Sequence, residues 1–316
     1  MSQRALERGS STGAASRYLE RLSKALPGPR IWRGAREFWP DGAKLVISVS
    51  LQFEAGAQPG GAPRVDSRYP DLPIKSSDYG SREGIPRLLE IFQRRRVHGT
   101  CHMAGSAVAG NPPLAKEIVE RGHEPAAHGQ AWAAQYSVTA DEERASYEAN
   151  IESIERATGV RPVGFNGFWR HSTAQTLEIL QDLSFIYHVD DASRDEPSLV
   201  LVRGKPIAIV PYTLELNDFV AYEIRHYSTE QYAAELKNEF EMLYSEAETR
   251  RRMMSISAHG RIAGRPARAK VLEEFIIYAQ RRPGVVFMRK DEIARFALAS
   301  SITPRQEQAA LEADAA

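Results

Sequence analysis

Lys44-Leu45-Val46-Ile47-Ser48-Val49-Ser50-Leu51, followed at once by Gln52-Phe53-Glu54, is the stretch on which the fold turns. Its run of aliphatic and β-branched residues reads as a buried strand over Lys44 to Leu51. Downstream, Glu83 to Val97 has helical periodicity and Gly99 to Met103 is a second strand. Strand, helix and strand in that order is the unit from which parallel sheets are built.

The alternation continues along the chain. Helices are expected at Pro113 to Arg121, Asp141 to Ala157, Thr173 to Leu183, Thr229 to Ala247, Pro266 to Gln280 and Asp291 to Ala299. Thr139 is the expected N-cap of the second of these, with acids in the first turn. Strands are expected at Phe185 to Val189, Pro206 to Tyr212, Met253 to Ala258 and Val285 to Met288. So many repeats without a linker predict an α/β fold whose parallel sheet closes into a barrel. Residues 1–40, with Pro27, Pro29, Pro40 and a short amphipathic segment near Tyr18 to Leu26, read as an N-terminal arm. Residues 41–300 form the expected barrel, and 301–316 a polar, Ala-rich tail.

Composition narrows the partners. Lys plus Arg and Asp plus Glu are 41 each in a chain of 316 residues, so no global field attracts nucleic acid or an anionic membrane. Cys101 is the single cysteine, which excludes an internal disulfide and a cysteine zinc cluster and fits a reducing compartment. The first residues lack an apolar leader, and the apolar run at Leu45 to Leu51 is far below the roughly 20 residues of a membrane span. The expectation is a soluble, cytoplasmic protein acting on a small molecule.

In such barrels chemistry gathers where strands end and their loops face one mouth. Glu54 follows the first strand, His102 ends the second, and His128 ends the short segment before Gly129. Asn166 and Trp169 follow Val163 to Phe165, Asp190 and Asp191 follow the strand at Phe185, Tyr212 and Asn217 follow Ile209, and His259 follows Ser255 to Ala258. Their convergence on one mouth marks a site more strongly than any single residue. Partial burial of Glu54 is expected to raise its pKa and suit it as a general base. His259, between a strand and Gly260, suits protonation of a leaving nitrogen.

Gly122-His123-Glu124-Pro125-Ala126-Ala127-His128-Gly129-Gln130-Ala131-Trp132 raises the question of a metal. A zinc-protease helix needs its second histidine four residues after the first. Here the separation is five and Pro125 intervenes, which rejects that reading and leaves His123 as a structural histidine. His128 has room beside Gly129 for a ligand to approach. Trp132 reads equally as core or as pocket wall. Cys101 reads as a small buried hydrophobe, and the triplets Arg94-Arg95-Arg96 and Arg250-Arg251-Arg252 as solvated helix ends. Neither a phosphate loop nor a serine nucleophile elbow is present.

Tyr79-Gly80-Ser81-Arg82-Glu83-Gly84, Gly122-His123-Glu124, His128-Gly129, Arg161-Pro162-Val163-Gly164, Pro211-Tyr212-Thr213-Leu214, Asn217-Asp218 and Gly264-Arg265-Pro266-Ala267-Arg268 together resemble the polysaccharide deacetylase (NodB-homology) superfamily. Within it the chain is most similar to the branch of the allantoinase analogue of urate catabolism and related cyclic imide hydrolases, from about Trp39 to Ala299. The fold so implied is a distorted, TIM-like (β/α) barrel of the polysaccharide deacetylase type. The family's catalytic base matches Glu54, and its acid histidine matches His259. Its three metal positions fall on Ala55, His128 and Trp132, of which His128 alone bears a ligand atom. Its arginine after the fourth strand falls on Asn166. Members of the allantoinase-like branch that share this pattern are regarded as metal-free.

The resemblance and the residues together imply a hydrolase of non-peptide C–N bonds in a small cyclic amide, imide or ureide. Glu54 activates water, His259 protonates the leaving nitrogen, and His128 with Asn166 stabilises the oxyanion. Trp132, Trp169, His102, Tyr212 and Asn217 are the expected substrate-binding residues. No cofactor is expected, and His128 is a metal ligand only if zinc or another divalent ion is present. One alternative is a metal-dependent carbohydrate N-deacetylase holding its ion with His102, His128 and Asp190. Another is a non-catalytic ligand-binding barrel. Related barrels imply a homo-oligomer, a dimer or tetramer.

Overall fold

The computed structural model describes residues 38–54, 79–131, 138–170 and 172–307. The segment near Tyr18 to Leu26, with Trp132 and Ala55, lies outside the described residues. Strand β1 (Leu45–Phe53) occupies the middle of the sheet and is buried at every position. Its odd-numbered residues Leu45, Ile47, Val49, Leu51 and Phe53 belong to the main hydrophobic core. Val46, Ser48, Ser50, Gln52 and Glu54 alternate with them and face the barrel axis, as the two-residue period of a strand requires.

Both edges of β1 are used. Strand β8 (Met253–His259) runs parallel along one edge from Val46 to Gln52. The other edge is shared: β9 (Val285–Phe287) pairs with Leu45 to Ile47, and β2 (Thr100–Met103) with Ser50 to Phe53. The chain leaving β9 therefore turns inward at the start of β2, where the Lys290 amide donates to Thr100 Oγ1 at 2.8 Å.

From β2 the sheet continues through β3 (Glu124–Ala127), β4 (Gly164–Phe165), β5 (Tyr187–His188) and β7 (Lys205–Ile209), all parallel. Two strands extend it beyond the sequence reading. Strand β6 (Ser198–Val202) forms an antiparallel hairpin with β7 across Arg203 and Gly204, both at positive φ. That two-residue turn matches the right-handed twist of its strands. Strand β10 (Arg305–Glu307) pairs with β6, which brings the start of the predicted polar tail into the sheet.

Among the described residues the sheet does not close. In place of strand pairing between β7 and β8, a single parallel bridge joins Asn217 to Ser257, with the Ser257 amide on the Leu216 carbonyl at 3.2 Å. Expected closure thus becomes a distorted barrel with one bridged gap.

Helices α1 (Ile85–Arg95), α2 (Gly105–Gly110), α3 (Pro112–Glu120), α4 (Ala140–Thr158), α5 (Thr176–Asp182), α6 (Thr229–Glu246), α7 (Pro266–Gln280) and α8 (Lys290–Ala299) connect the strands. Thr139 caps α4 in a capping box with Glu142, as its sequence signal predicts. A second core joins Phe38 and Trp39 to Phe296, and Arg251, expected at a solvated helix end, is instead buried, paired with Glu196 and stacked on the Phe38 ring at 4.3 Å. The residues just before β1 are thus fastened to α8.

Candidate active site

The carboxyl ends of β1, β3 and β8 deliver Glu54, His128 and His259 to one pocket, each at most 6 % exposed. His128 leaves β3 just before Gly129, whose φ of +73° is a conformation that glycine adopts without strain. The turn is pinned by Asn150 of α4, which accepts from the His128 amide at 2.9 Å and donates to the Met103 carbonyl at 2.9 Å.

Glu54 lies between the two imidazoles. Its Oε1 is 3.2 Å from His128 Nε2, and its Oε2 is 3.6 Å from His259 Nε2. Burial by itself raises the carboxyl pKa, as the sequence reading expected. The charge of His259 and hydrogen bonds from both histidines outweigh it, holding Glu54 well below the usual carboxylate range. The expectation of a raised Glu54 pKa is therefore corrected.

His259 is held by Asp218, a residue that the sequence reading quoted in a motif and left without a role. Asp218 Oδ1 accepts from His259 Nδ1 at 2.5 Å, and Oδ2 accepts the amides of His259 and Ala263 at 2.8 Å each. Burial lowers the imidazole pKa, but the charges of Asp218 and Glu54 prevail and raise it to about 10. At neutral pH the ring is an imidazolium with Nε2–H directed to the Glu54 side.

The other expected residues divide into wall and support. Asn166, Trp169, Tyr212 and Asn217 line the pocket, an open space of about 450 Å³. Asn217 donates to Tyr212 Oη at 2.6 Å and accepts the Phe219 amide at 2.8 Å. Trp169, at a φ of +50° and 44 % exposed, meets Phe219 edge-on at 5.4 Å. Phe219 in turn packs against the His259 ring at 5.9 Å. Phe168, Phe219 and Leu214 add apolar walls that the sequence reading missed. Their neighbours Trp169 and Asn217 were the available signal.

His102 is placed differently from its expected part in substrate binding. It is fully buried and is absent from the pocket lining. Its Nδ1 instead meets the amides of Gln52 and Asn166 at 3.1 Å each. His123 fits its structural reading: Nδ1 accepts the Gly99 amide at 3.0 Å, and burial with the His98 and Arg121 charges lowers its pKa to about 4. Burial pushes the Cys101 thiol far up, as befits a core residue.

The donor set does not fit a three-ligand divalent ion. The resemblance places two of the family's ligand positions on Ala55 and Trp132, which have no ligand atom. His128 Nδ1 gives its proton to the Asn166 carbonyl at 2.7 Å while Nε2 faces Glu54. Among the described residues no group of three His, Cys, Asp or Glu side chains is gathered to hold a metal, so the substitute trio His102, His128 and Asp190 does not form one.

Similarity to known proteins converges on one family. The polysaccharide deacetylase family model matches residues 76–187. A putative polysaccharide deacetylase of Schizosaccharomyces pombe is 24% identical over 81% of this chain and 91% of that protein. The crystal structure of a probable polysaccharide deacetylase from Pseudomonas aeruginosa PAO1 is 31% identical, with a TM-score of 0.75 over 82% of this chain and 92% of that one. That of the PuuE allantoinase is 26% identical, with a TM-score of 0.77 over 87% of this chain and 99% of that one.

Proposed function

The chain belongs to the polysaccharide deacetylase family and is a hydrolase of non-peptide carbon–nitrogen bonds, and we propose that its substrate is a small cyclic amide, imide or ureide hydrolysed without the family's three-ligand metal site. The observation that carries this reading is the buried array Asp218–His259–Glu54–His128 at the base of an aromatic pocket. It contains an acid and a base with opposite charge. Likeness to the PuuE allantoinase supports a ureide-type ring over a sugar chain.

The reaction follows from the coupling of the two groups. Water held by Glu54 attacks the carbonyl carbon and passes a proton to the carboxylate, while His259 Nε2 gives its proton to the departing nitrogen. A carboxylate with a depressed pKa is a weak base as long as its cationic neighbour remains charged. Once His259 has begun to lose its proton, the field that depresses Glu54 weakens and its basicity rises. The two transfers therefore assist one another. Asn166, whose side-chain amide commits one N–H to His102, keeps a second for the developing oxyanion. The C–N bond breaks, the ring opens, and a carboxylate and an amine-side N–H are formed. Trp169 and Phe219 form an apolar wall suited to a flat ring.

Glu54→Gln tests the assignment. It retains the shape of the side chain and removes the base, so turnover falls by about 10³-fold or more with the circular dichroism spectrum unchanged. Parental rates in this variant exclude Glu54 from the chemistry.

A further inference from the structure

Beneath the catalytic array the barrel axis carries polar side chains that the reaction does not use. Ser48, Ser50 and Gln52 follow at alternate positions of β1 and face the same way, all at most 4 % exposed, with Gln52 reaching the pocket lining. His102 stands opposite Gln52 in the parallel register of β1 and β2. Ser48 Oγ, Ser50 Oγ, Gln52 Oε1 and His102 Nε2 are buried without a hydrogen-bond partner among the described residues. Native proteins rarely leave such atoms unmet.

The surrounding bonds determine what each atom needs. Gln52 Nε2 directs its hydrogens to Ser257 Oγ at 2.7 Å and His102 Nδ1 at 3.1 Å, which leaves Oε1 as a pure acceptor. His102 Nδ1 also receives Asn166 Nδ2 at 3.1 Å. Two amide donors on Nδ1 place the ring proton on Nε2, which becomes a pure donor. Burial, the largest influence on it, holds this ring neutral. A cation is repelled by the Nε2–H group and an anion by the Gln52 carbonyl. Water accepts from the first and donates to the second, and the serine hydroxyls satisfy either role.

We propose that internal water meets these atoms, and that His102, fixed as its Nε2–H tautomer between that water and the Asn166 amide, is a positioning residue for the Asn166 side chain. The line of contacts is continuous. Asn166 Nδ2 meets His102, the Asn166 backbone carbonyl accepts from His128 Nδ1 at 2.7 Å, and His128 Nε2 meets Glu54 at 3.2 Å. The orientation of the oxyanion donor is therefore set from below the pocket, by a group that does not touch substrate. The kinetic consequence rests on the function proposed above, whereas the tautomer and the hydration do not.

Long-range ¹⁵N NMR of histidine-labelled protein tests the first part directly. The His102 ring is expected as the Nε2–H tautomer, unprotonated where solvent-exposed histidines titrate, with its Nε2 proton showing a cross-peak to bound water. An Nδ1–H ring, or a ring that titrates as in solvent, overturns the proposal. His102→Leu and His102→Asn test the second part, because the asparagine Oδ1 can replace Nδ1 as acceptor and leucine cannot. The leucine variant shifts the Asn166 side-chain amide resonances, and the asparagine variant restores them. On a turned-over substrate, the leucine variant loses about 10- to 100-fold in kcat at similar KM, with partial recovery in the asparagine variant. Unchanged Asn166 resonances in the leucine variant refute the positioning role. Failure of the parent protein to turn over any cyclic substrate counts against the proposed function alone, since the NMR results decide this inference without substrate.

Discussion

At the mouth of the barrel Glu54 is held well below the carboxylate range and His259 is raised to about 10, while at the floor Glu124 is raised to about 7 and Lys290 lowered to about 7. Both ends are buried, so burial alone does not explain the contrast. At the mouth each group faces an opposite charge within 3.6 Å, and these attractions exceed the desolvation penalty. At the floor the neighbours of Glu124 are neutral donors and a like charge, and the pull of Glu124 on Lys290 does not offset burial. Burial and then the Asp291 charge raise Glu124, although Thr100 Oγ1, Tyr187 Oη and the Asp291 amide donate to it at 2.6, 2.7 and 3.0 Å. Lys290 Nζ donates to Ser255 Oγ at 2.8 Å, and burial lowers its pKa against the pull of Glu124. The mouth retains charge for chemistry, and the floor suppresses it in a hydrogen-bonded plug. Even glycine serves that plug, since a Cβ on Gly164 would lie 1.9 Å from the Tyr187 ring.

The contrast can be broken by substitution. The largest effect on stability is expected at the floor. Glu124→Ala strips three donors of their acceptor and lowers unfolding free energy by about 3–5 kcal/mol in urea titration. Glu54→Gln, which ends turnover, costs less than half of that. An equal loss in both variants would erase the distinction between the two ends.

Next comes Asp218→Asn, which removes the first charge that raises His259. The protein then loses its general acid as pH rises through a value nearer 6.5 than 10, and kcat at neutral pH falls by about 10- to 100-fold. A pH–rate profile with an unmoved alkaline limb contradicts this. The same shift bears on stability. A folded-state pKa raised from 6.5 to about 10 means that the His259 contribution is complete below 6.5 and is lost as pH rises through about 10.

The smallest effect is expected from Lys290→Met. Because the lysine pKa is lowered on folding, its contribution is complete above 10.5 and is lost as pH falls through about 7. Removing the amine flattens that limb between about pH 7 and 10. Urea titrations of the variant across this range check it, and an unaltered slope excludes Lys290 as its source.

Much of this arrangement is legible in the sequence. The alternation within β1 and β8, with Ser255, Ser257 and His259 following one another on the inner face, marks the strands, and the glycines after His128 and His259 mark the mouth. Asp218 was missed because its role depends on an approach across 41 residues of chain. The hairpin of β6 was missed although Arg203-Gly204 is a turn signal between apolar runs. The direction of the Glu54 shift was misread because burial is visible in a strand-end position, whereas two imidazoles closing on it are a property of the assembled sheet. His102 was assigned to the pocket from its place at a strand end, and the inward pleat of a short strand buried it one layer deeper.

Hydrolysis of a panel of hydantoins, cyclic imides, allantoin and N-acetylated amino sugars, with and without chelator, tests the central claim most directly. Ring opening of a cyclic member, yielding a new carboxylate at a rate that chelator leaves unchanged, is the predicted result. Acetate release from an acetylated sugar that chelator abolishes would contradict it.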